Sequence, residues 1–281
     1  MKKLLFVLLF CSLTVSSFAL GAGDFFIKNS RFWQNQFYAE FLKTDFLAAD
    51  LSFDIIEHKQ VKNHIYAFRV PLMFKVYMFD FTLLPFLYPD IHNEASAYGG
   101  SFKVSLPLRE DTISDIYSSG YLKFSYANQK ANITRLTTAK ENFKQTVFEG
   151  GLSINYANLY KFDISGNIFS YPDGVKDIAA FGGIMNQREV AELGTIDYII
   201  SNFPRFSAGG GVTWVSAENN TKTTFSYKYI DFEQKLKTHS LMIQTNIPMG
   251  EKLILGLVYN HLFETHKTNR DLFGLGLNYL F

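Results

Sequence analysis

Apolar and polar side chains alternate along much of this chain. In Phe273-Gly-Leu-Gly-Leu-Asn-Tyr-Leu-Phe281, the residues Phe273, Leu275, Leu277, Tyr279 and Phe281 occupy every second position. Successive side chains of a strand point to opposite faces, so these five share one face and Gly274, Gly276, Asn278 and Leu280 the other. The period recurs upstream. Phe148, Gly150, Leu152, Ile154 and Tyr156 alternate with Glu149, Gly151, Ser153 and Asn155. After Ala157-Asn158-Leu159, Tyr160, Phe162, Ile164, Gly166 and Ile168 alternate with Lys161, Asp163, Ser165 and Asn167. These two segments predict a hairpin with a tight turn and a tyrosine on each side of its mouth. Tyr98 to Leu106, Leu122 to Tyr126, Phe206 to Trp214, Thr223 to Tyr229, Leu241 to Ile247 and Leu253 to Tyr259 read as further strands.

Beyond the N-terminal region, no stretch approaches the run of about 18 apolar residues that a membrane-spanning helix needs. Yet 17% of the residues are aromatic, including 29 Phe and 16 Tyr, and alternation spreads them out. Hydrocarbon tolerates no unpaired backbone N–H or C=O, which leaves helices or closed barrels as spanning structures. A soluble sandwich shows the same period, but its aromatics need not gather at strand ends. The closing nonapeptide resembles the last strand of bacterial outer-membrane β-barrels, in which a terminal Phe behind alternating apolar residues is read by the insertion machinery. The resemblance implies an all-β transmembrane antiparallel up-and-down barrel, with an assembly signal at Phe273, Leu275, Leu277, Tyr279 and Phe281. The expected strand count is even, about 12–14.

The N-terminus argues independently for export. Lys2-Lys3 precede the apolar stretch Leu4 to Phe10, and small and hydroxyl residues follow through Ala19. This is the layout of a signal peptide over residues 1–19, with 21 and 22 as alternative cleavage points. A lipid anchor at Cys11 is disfavoured by Phe10, which stands where a small residue is required. Loss of Lys2 and Lys3 reduces 27 basic residues to 25 against 26 acidic ones, so the formal charge moves from +1 to −1. That balance gives no basic stripe for nucleic acid. The one cysteine leaves as well, so disulfides are excluded from the mature chain.

Residues 20–281 read as a single barrel domain. Counting back from a terminal strand that ends on the periplasmic side, 247–252, 157–159 and 186–189 become periplasmic turns. Pro71, Pro107 and Pro248 fall at periplasmic strand ends, because proline has no N–H for a ladder. The stretches Pro85 to Ser96, Asn128 to Gln145, Ser170 to Lys176 and Glu264 to Asp271 become outer loops, while Val61 to Leu84 and Ile178 to Ile200 resist division. Residues 24–49 fit this plan badly, with Phe25, Phe26, Phe32, Trp33, Phe37, Tyr38 and Phe41 coming without clean alternation. They read as a first strand with a loose lead-in, or alternatively as a segment folded into the lumen.

Catalytic readings are thin. Outer-membrane phospholipases resemble a His-x-Ser arrangement on one strand, but His239 and Ser240 are adjacent and face opposite ways. Outer-membrane proteases use an Asp-x-His pair, which Asp90-Ile91-His92 matches in spacing, but the accompanying Asp-x-Asp is lacking. His261, Glu264 and His266 lie near a strand end where nothing forces the convergence a metal needs. No cofactor motif is present. The expectation is therefore a narrow passive channel for small solutes in a bacterial outer membrane. An outer-membrane enzyme and a structural or adhesive barrel stand as alternatives. The partners expected are lipids, the barrel assembly machinery and small solutes. The polar faces nominate Lys103, Lys123, Glu149, Lys161, Asp163 and Lys228 as lumen residues.

Overall fold

The computed structural model describes residues 21–28, 32–58, 64–89, 95–111, 115–132, 140–172, 204–232, 237–264 and 270–280. Among them every regular element is a strand: β1 Gly21–Lys28, β2 Phe32–Lys43, β3 Leu47–His58, β4 Ile65–Arg69, β5 Leu72–Val76, β6 Phe79–Tyr88, β7 Ala95–Asp111, β8 Ile116–Asn132, β9 Lys140–Tyr156, β10 Tyr160–Ser170, β11 Pro204–Val215, β12 Lys222–Phe232, β13 Lys237–Pro248, β14 Leu253–Glu264 and β15 Arg270–Leu280. Chain neighbours pair antiparallel around the sheet, and β1 pairs β15 from Gly21↔Leu280 to Lys28↔Phe273, which closes the barrel. Strands β4 and β5 both lie between β3 and β6, so they are halves of one stave and the closed barrel has 14 staves. Closure satisfies the backbone of every stave without leaving an edge.

The broken stave has a proline cause. Pro71 cannot donate to the ladder, so the chain steps at Val70-Pro71. There the Val70 N–H donates to the Pro85 carbonyl and the Asp50 N–H donates to the Pro71 carbonyl, which carries the sheet across the gap. This corrects the expectation that Pro71 ends a strand at the periplasmic side. Pro107 is likewise inside β7, where the register with β8 shifts between Pro107 and Arg109. Pro248 does close β13, before a turn through Gly250 at φ +89°.

One end of the barrel carries Gly21 and Leu280 together with turns at 44–46, 77–78, 157–159, 216–221 and 249–252; it is called the near end. The turn at 157–159 holds Ala157 and Asn158 at positive φ, a conformation that Asn adopts readily. At the opposite, far end β6 runs on to Tyr88, β8 to Asn132, and β9 starts at Lys140. The β6–β7 and β8–β9 connections are therefore shorter than the stretches Pro85 to Ser96 and Asn128 to Gln145, whereas the β10–β11 connection runs from Ser170 to Pro204, beyond Lys176. Strands β7, β8 and β9 have 17 residues each, well beyond the 9–11 that a tilted strand needs to cross hydrocarbon. The proposed turn at 186–189 lies outside the described residues. Strand β10 pairs β11 directly, so no stave stands between them.

Residues 24–49 are corrected as a candidate lumen segment: β1, β2 and the start of β3 are wall staves with partners on both sides. Their missing alternation also has a physical reason. Phe25 faces inward, and its ring occupies the space that glycines on β14 and β15 leave empty. A Cβ on Gly276 would stand 2.3 Å from Phe25 Cδ2, and one on Gly274 3.0 Å from Cζ. Apolar residues therefore occupy both faces of β1. The signal peptide assigned to residues 1–19 lies outside the described residues.

The outer face is apolar. Leu122 is 74% exposed and Ile164 62%, whereas the adjacent-register Ser153 on the inner face is 9% exposed. An apolar groove of about 1270 Å³ crosses this outer wall, where Gly120, Gly150, Gly166, Ala208 and Gly210 leave the sheet bare between larger side chains. Large apolar groups facing outward around a closed barrel require hydrocarbon, since water would charge roughly 25 cal/mol for each Å² left exposed.

Candidate functional site

The inner face is where polar chemistry collects. Pairing places residues in inward ranks that run around the wall. One rank passes through Lys103, Lys123, Glu149, Asn167 and Ser207 on β7 to β11; the next toward the near end passes through Ser105, Tyr121, Gly151, Ser165, Gly209 and Lys228. By strand register the six residues nominated from the sequence, Lys103, Lys123, Glu149, Lys161, Asp163 and Lys228, belong to the same face as these ranks. They are not one cluster. Lys123 Nζ lies 3.6 Å from Glu149 Oε2, and Lys161 Nζ 2.9 Å from Asp163 Oδ1. Lys103 and Lys228 stand on the two flanks, five stave steps apart out of 14.

Tyr121 organises the first group, although the sequence reading passed over it. Its hydroxyl donates to Glu149 Oε1 at 2.6 Å, and the Lys103 ammonium sits 4.2 Å above its ring centre. A cation over an aromatic face is held by the ring quadrupole. The ring lies flat because Gly151 is beneath it: a Cβ there would come within 2.4 Å of Tyr121 Cε1. Lys228 lies in the same way over Gly209, whose added Cβ would meet Lys228 Cγ at 3.3 Å. Between them the inner face is low at Ser165 and Gly211. The signal was present in the run Gly209-Gly210-Gly211 and in the i, i+2 spacing of Tyr121 and Lys123.

Toward the far end the lumen tightens. The inward residues Ala97, Ala127, Gln145, Val147, Ser207, Phe232, Thr238, Leu262, Ile27, Gln34 and Tyr88 are buried around the whole circumference. The tightest polar knot there ties β2, β3 and β4. Arg69 Nη2 donates to both carboxylate oxygens of Asp54, at 2.9 and 3.1 Å, and Gln34 Nε2 donates to Asp54 Oδ1 at 2.8 Å. Asp54 is completely buried, and a carboxylate there is tolerable only with such partners.

The residues weighed for catalysis are dispersed. Asp90 and His92 lie outside the described residues, as does His266. His261 Nδ1 is 2.7 Å from Asp271 Oδ1, which also accepts from the Tyr259 hydroxyl at 2.7 Å. His239 Nδ1 pairs with the Tyr227 hydroxyl at 2.7 Å. Both histidines project to the outer face near the far end, beside aromatic rings, which is the interfacial position such amphipathic groups favour. Among the described residues no three metal-ligating side chains converge. Of the strand proposed as an assembly signal, Phe273, Leu275, Leu277 and Tyr279 all face outward and are exposed, and Phe281 lies outside the described residues.

No family model matches the chain, and no curated protein sequence matches it. Solved structures do. The CymD monoaromatic hydrocarbon channel aligns over 93% of this chain and 88% of its own, with a TM-score of 0.53 and 8% identity. OccAB1 of Acinetobacter baumannii aligns over 93% and 95%, with a TM-score of 0.49 and 8% identity. The NanC porin aligns over 94% and 100%, with a TM-score of 0.48 and 8% identity. At such identities the likeness concerns the fold. Together with the closed 14-stave wall and its apolar outer face, the likeness to CymD gives this chain the fold of a transmembrane β-barrel.

Proposed function

We propose that the barrel is a narrow passive channel for small polar solutes across the bacterial outer membrane, with its near end toward the periplasm. The observation that carries this is the closed wall whose inner face is low at Ser165 and Gly211 and flanked there by charged groups. A barrel that served only as a structural plug would fill this region with large side chains. Fourteen staves enclose more space than the eight whose interior side chains fill completely, and less than the 16–18 of open porins. The buried rank toward the far end narrows the passage further. Described lumen charges of both signs, several of them paired, favour weak selectivity over a strong single-sign filter.

Purified protein reconstituted in planar bilayers tests this. Small discrete conductance steps, with little discrimination between simple ions, are expected. A fully inserted barrel that stays electrically silent and admits no small sugar into liposomes would transfer the case to the structural or enzymatic alternatives. The signal peptide at residues 1–19 belongs to the same proposal and is checked by N-terminal sequencing of the membrane form.

A further inference from the structure

We infer that a second copy of this chain docks within the membrane on the outer face of β1 and β2, with Asp24 at the contact. Asp24 pairs with Leu277 of β15 and Phe37 of β2, and Leu277 is exposed on the outer face, so Asp24 shares that face. It is exposed there. Its outward neighbours along β1 are Ala22 and Phe26, so everything adjacent along the strand and across both pairings is apolar. The carboxyl lies between the rank that joins Ala22 to Tyr279 and the rank that joins Lys28 to Trp33. It is therefore inside the band that hydrocarbon covers, between girdle residues on either side. Outward charges elsewhere, such as Glu57, Lys144 and Asp271, stand toward the far end.

Acyl chains offer such a group no hydrogen bond. Asp24 accepts from the Asn35 side chain and from the Phe25 backbone N–H. A carboxyl has about four acceptor sites, so part of its capacity is left for a partner on the outer side. A second barrel supplies that partner. Two copies with the same orientation in a membrane are related by a twofold axis along its normal, which sets a residue near the axis against its own counterpart at equal depth. Two carboxyls that meet in this way share protons, each donating to an oxygen of the other, so the contact is self-complementary. The surface permits the approach. Ala22 pairs with Ala39, which places small side chains beside the short Asp24 stem, and Phe26, Phe37 and Leu277 form an apolar rim around it. A polar contact enclosed by such a rim gives association in lipid a fixed register, which apolar packing alone does not. The inference is independent of whether the lumen conducts.

The test reconstitutes the full barrel, labelled with donor or acceptor dyes, in vesicles of phosphatidylethanolamine and phosphatidylglycerol. Energy transfer is followed as added lipid dilutes the protein. Wild type should trace a monomer–dimer curve. Asp24→Leu makes the face more apolar, yet it should weaken dimerisation about tenfold. Asp24→Asn, whose amide also carries donor and acceptor, should retain the dimer. Oxidation should cross-link Leu277→Cys, beside Asp24, but not Ile164→Cys on β10, six stave steps from β1. The cysteine variants keep Asp24, so they decide the matter even if Asp24→Leu fails to give the heat-sensitive mobility of a closed barrel. Wild type that stays monomeric at every dilution overturns the inference. So does a dimer that a folded Asp24→Leu leaves unchanged, or one that cross-links equally through positions 164 and 277.

Discussion

Asp54 and Ser165 both face inward, yet the wall treats them differently. Asp54 is sealed, and its charge is matched by Arg69 and a Gln34 amide. Replacing Arg69 with Leu leaves a buried carboxylate without a cation and should cost about 3–5 kcal/mol in detergent-to-lipid folding. Replacing both, as Asp54→Leu with Arg69→Leu, should recover most of that loss. If the double variant is as unstable as the single one, the pair is not what stabilises the site. Ser165 is only half-buried on the inner face, so Ser165→Lys should be tolerated. Its strand neighbour Ile164 is 62% exposed to the bilayer. Ile164→Lys there should cost about 2–4 kcal/mol near the midplane. Equal penalties at 164 and 165 would mean that the two faces have been assigned wrongly.

At the scale of elements, strand pairing converts these single-residue preferences into shape. Hairpin β9–β10 was legible from alternation alone, down to Tyr156 and Tyr160 facing each other across the turn. It was legible because its inner face is polar and its outer face apolar along the whole length. Strands β1 to β3 were not, because Phe25 and Ile27 are apolar residues on the inner face, placed against glycines that lie some 230 to 250 positions later in the chain. That complementarity is long-range, and local periodicity cannot report it. The same holds for the step at Pro71, which needs the Pro85 carbonyl of another stave. The lumen lysines were legible as a face, but their division into paired and presented groups depended on Tyr121 and the glycines beneath it. This yields a prediction for β9: Gly151→Val displaces the Tyr121 ring and should destabilise the barrel by about 1–3 kcal/mol. Tyr121→Ala added to it should cost less than the two changes summed, since the clash is already gone. Additive losses would show that the ring does not rest on the glycine.

On the scale of the whole molecule, closure decides whether the barrel exists. Strand β1 is the shortest stave that spans the wall unbroken, at 8 residues, and each of its positions pairs with both β15 and β2. It is therefore the seam of the cylinder, and β15 presents Phe273, Leu275, Leu277 and Tyr279 to lipid right beside it. Opening the seam exposes two edges whose N–H and C=O groups find no partner in hydrocarbon, which is costly for each unpaired group. Two perturbations separate the seam from the outer face. Changing Leu275 and Tyr279 to Asp leaves the backbone pairing possible but puts charges on the lipid side, and should leave the protein in the periplasm, degraded and absent from the outer membrane. Replacing Phe26 and Lys28 with Pro removes N–H donors from β1 itself; insertion then yields an open sheet that migrates as unfolded protein in cold detergent gels. If the proline variant keeps the compact, heat-sensitive mobility of a closed barrel, the β1–β15 seam does not hold the cylinder shut, and closure must be sought between other staves.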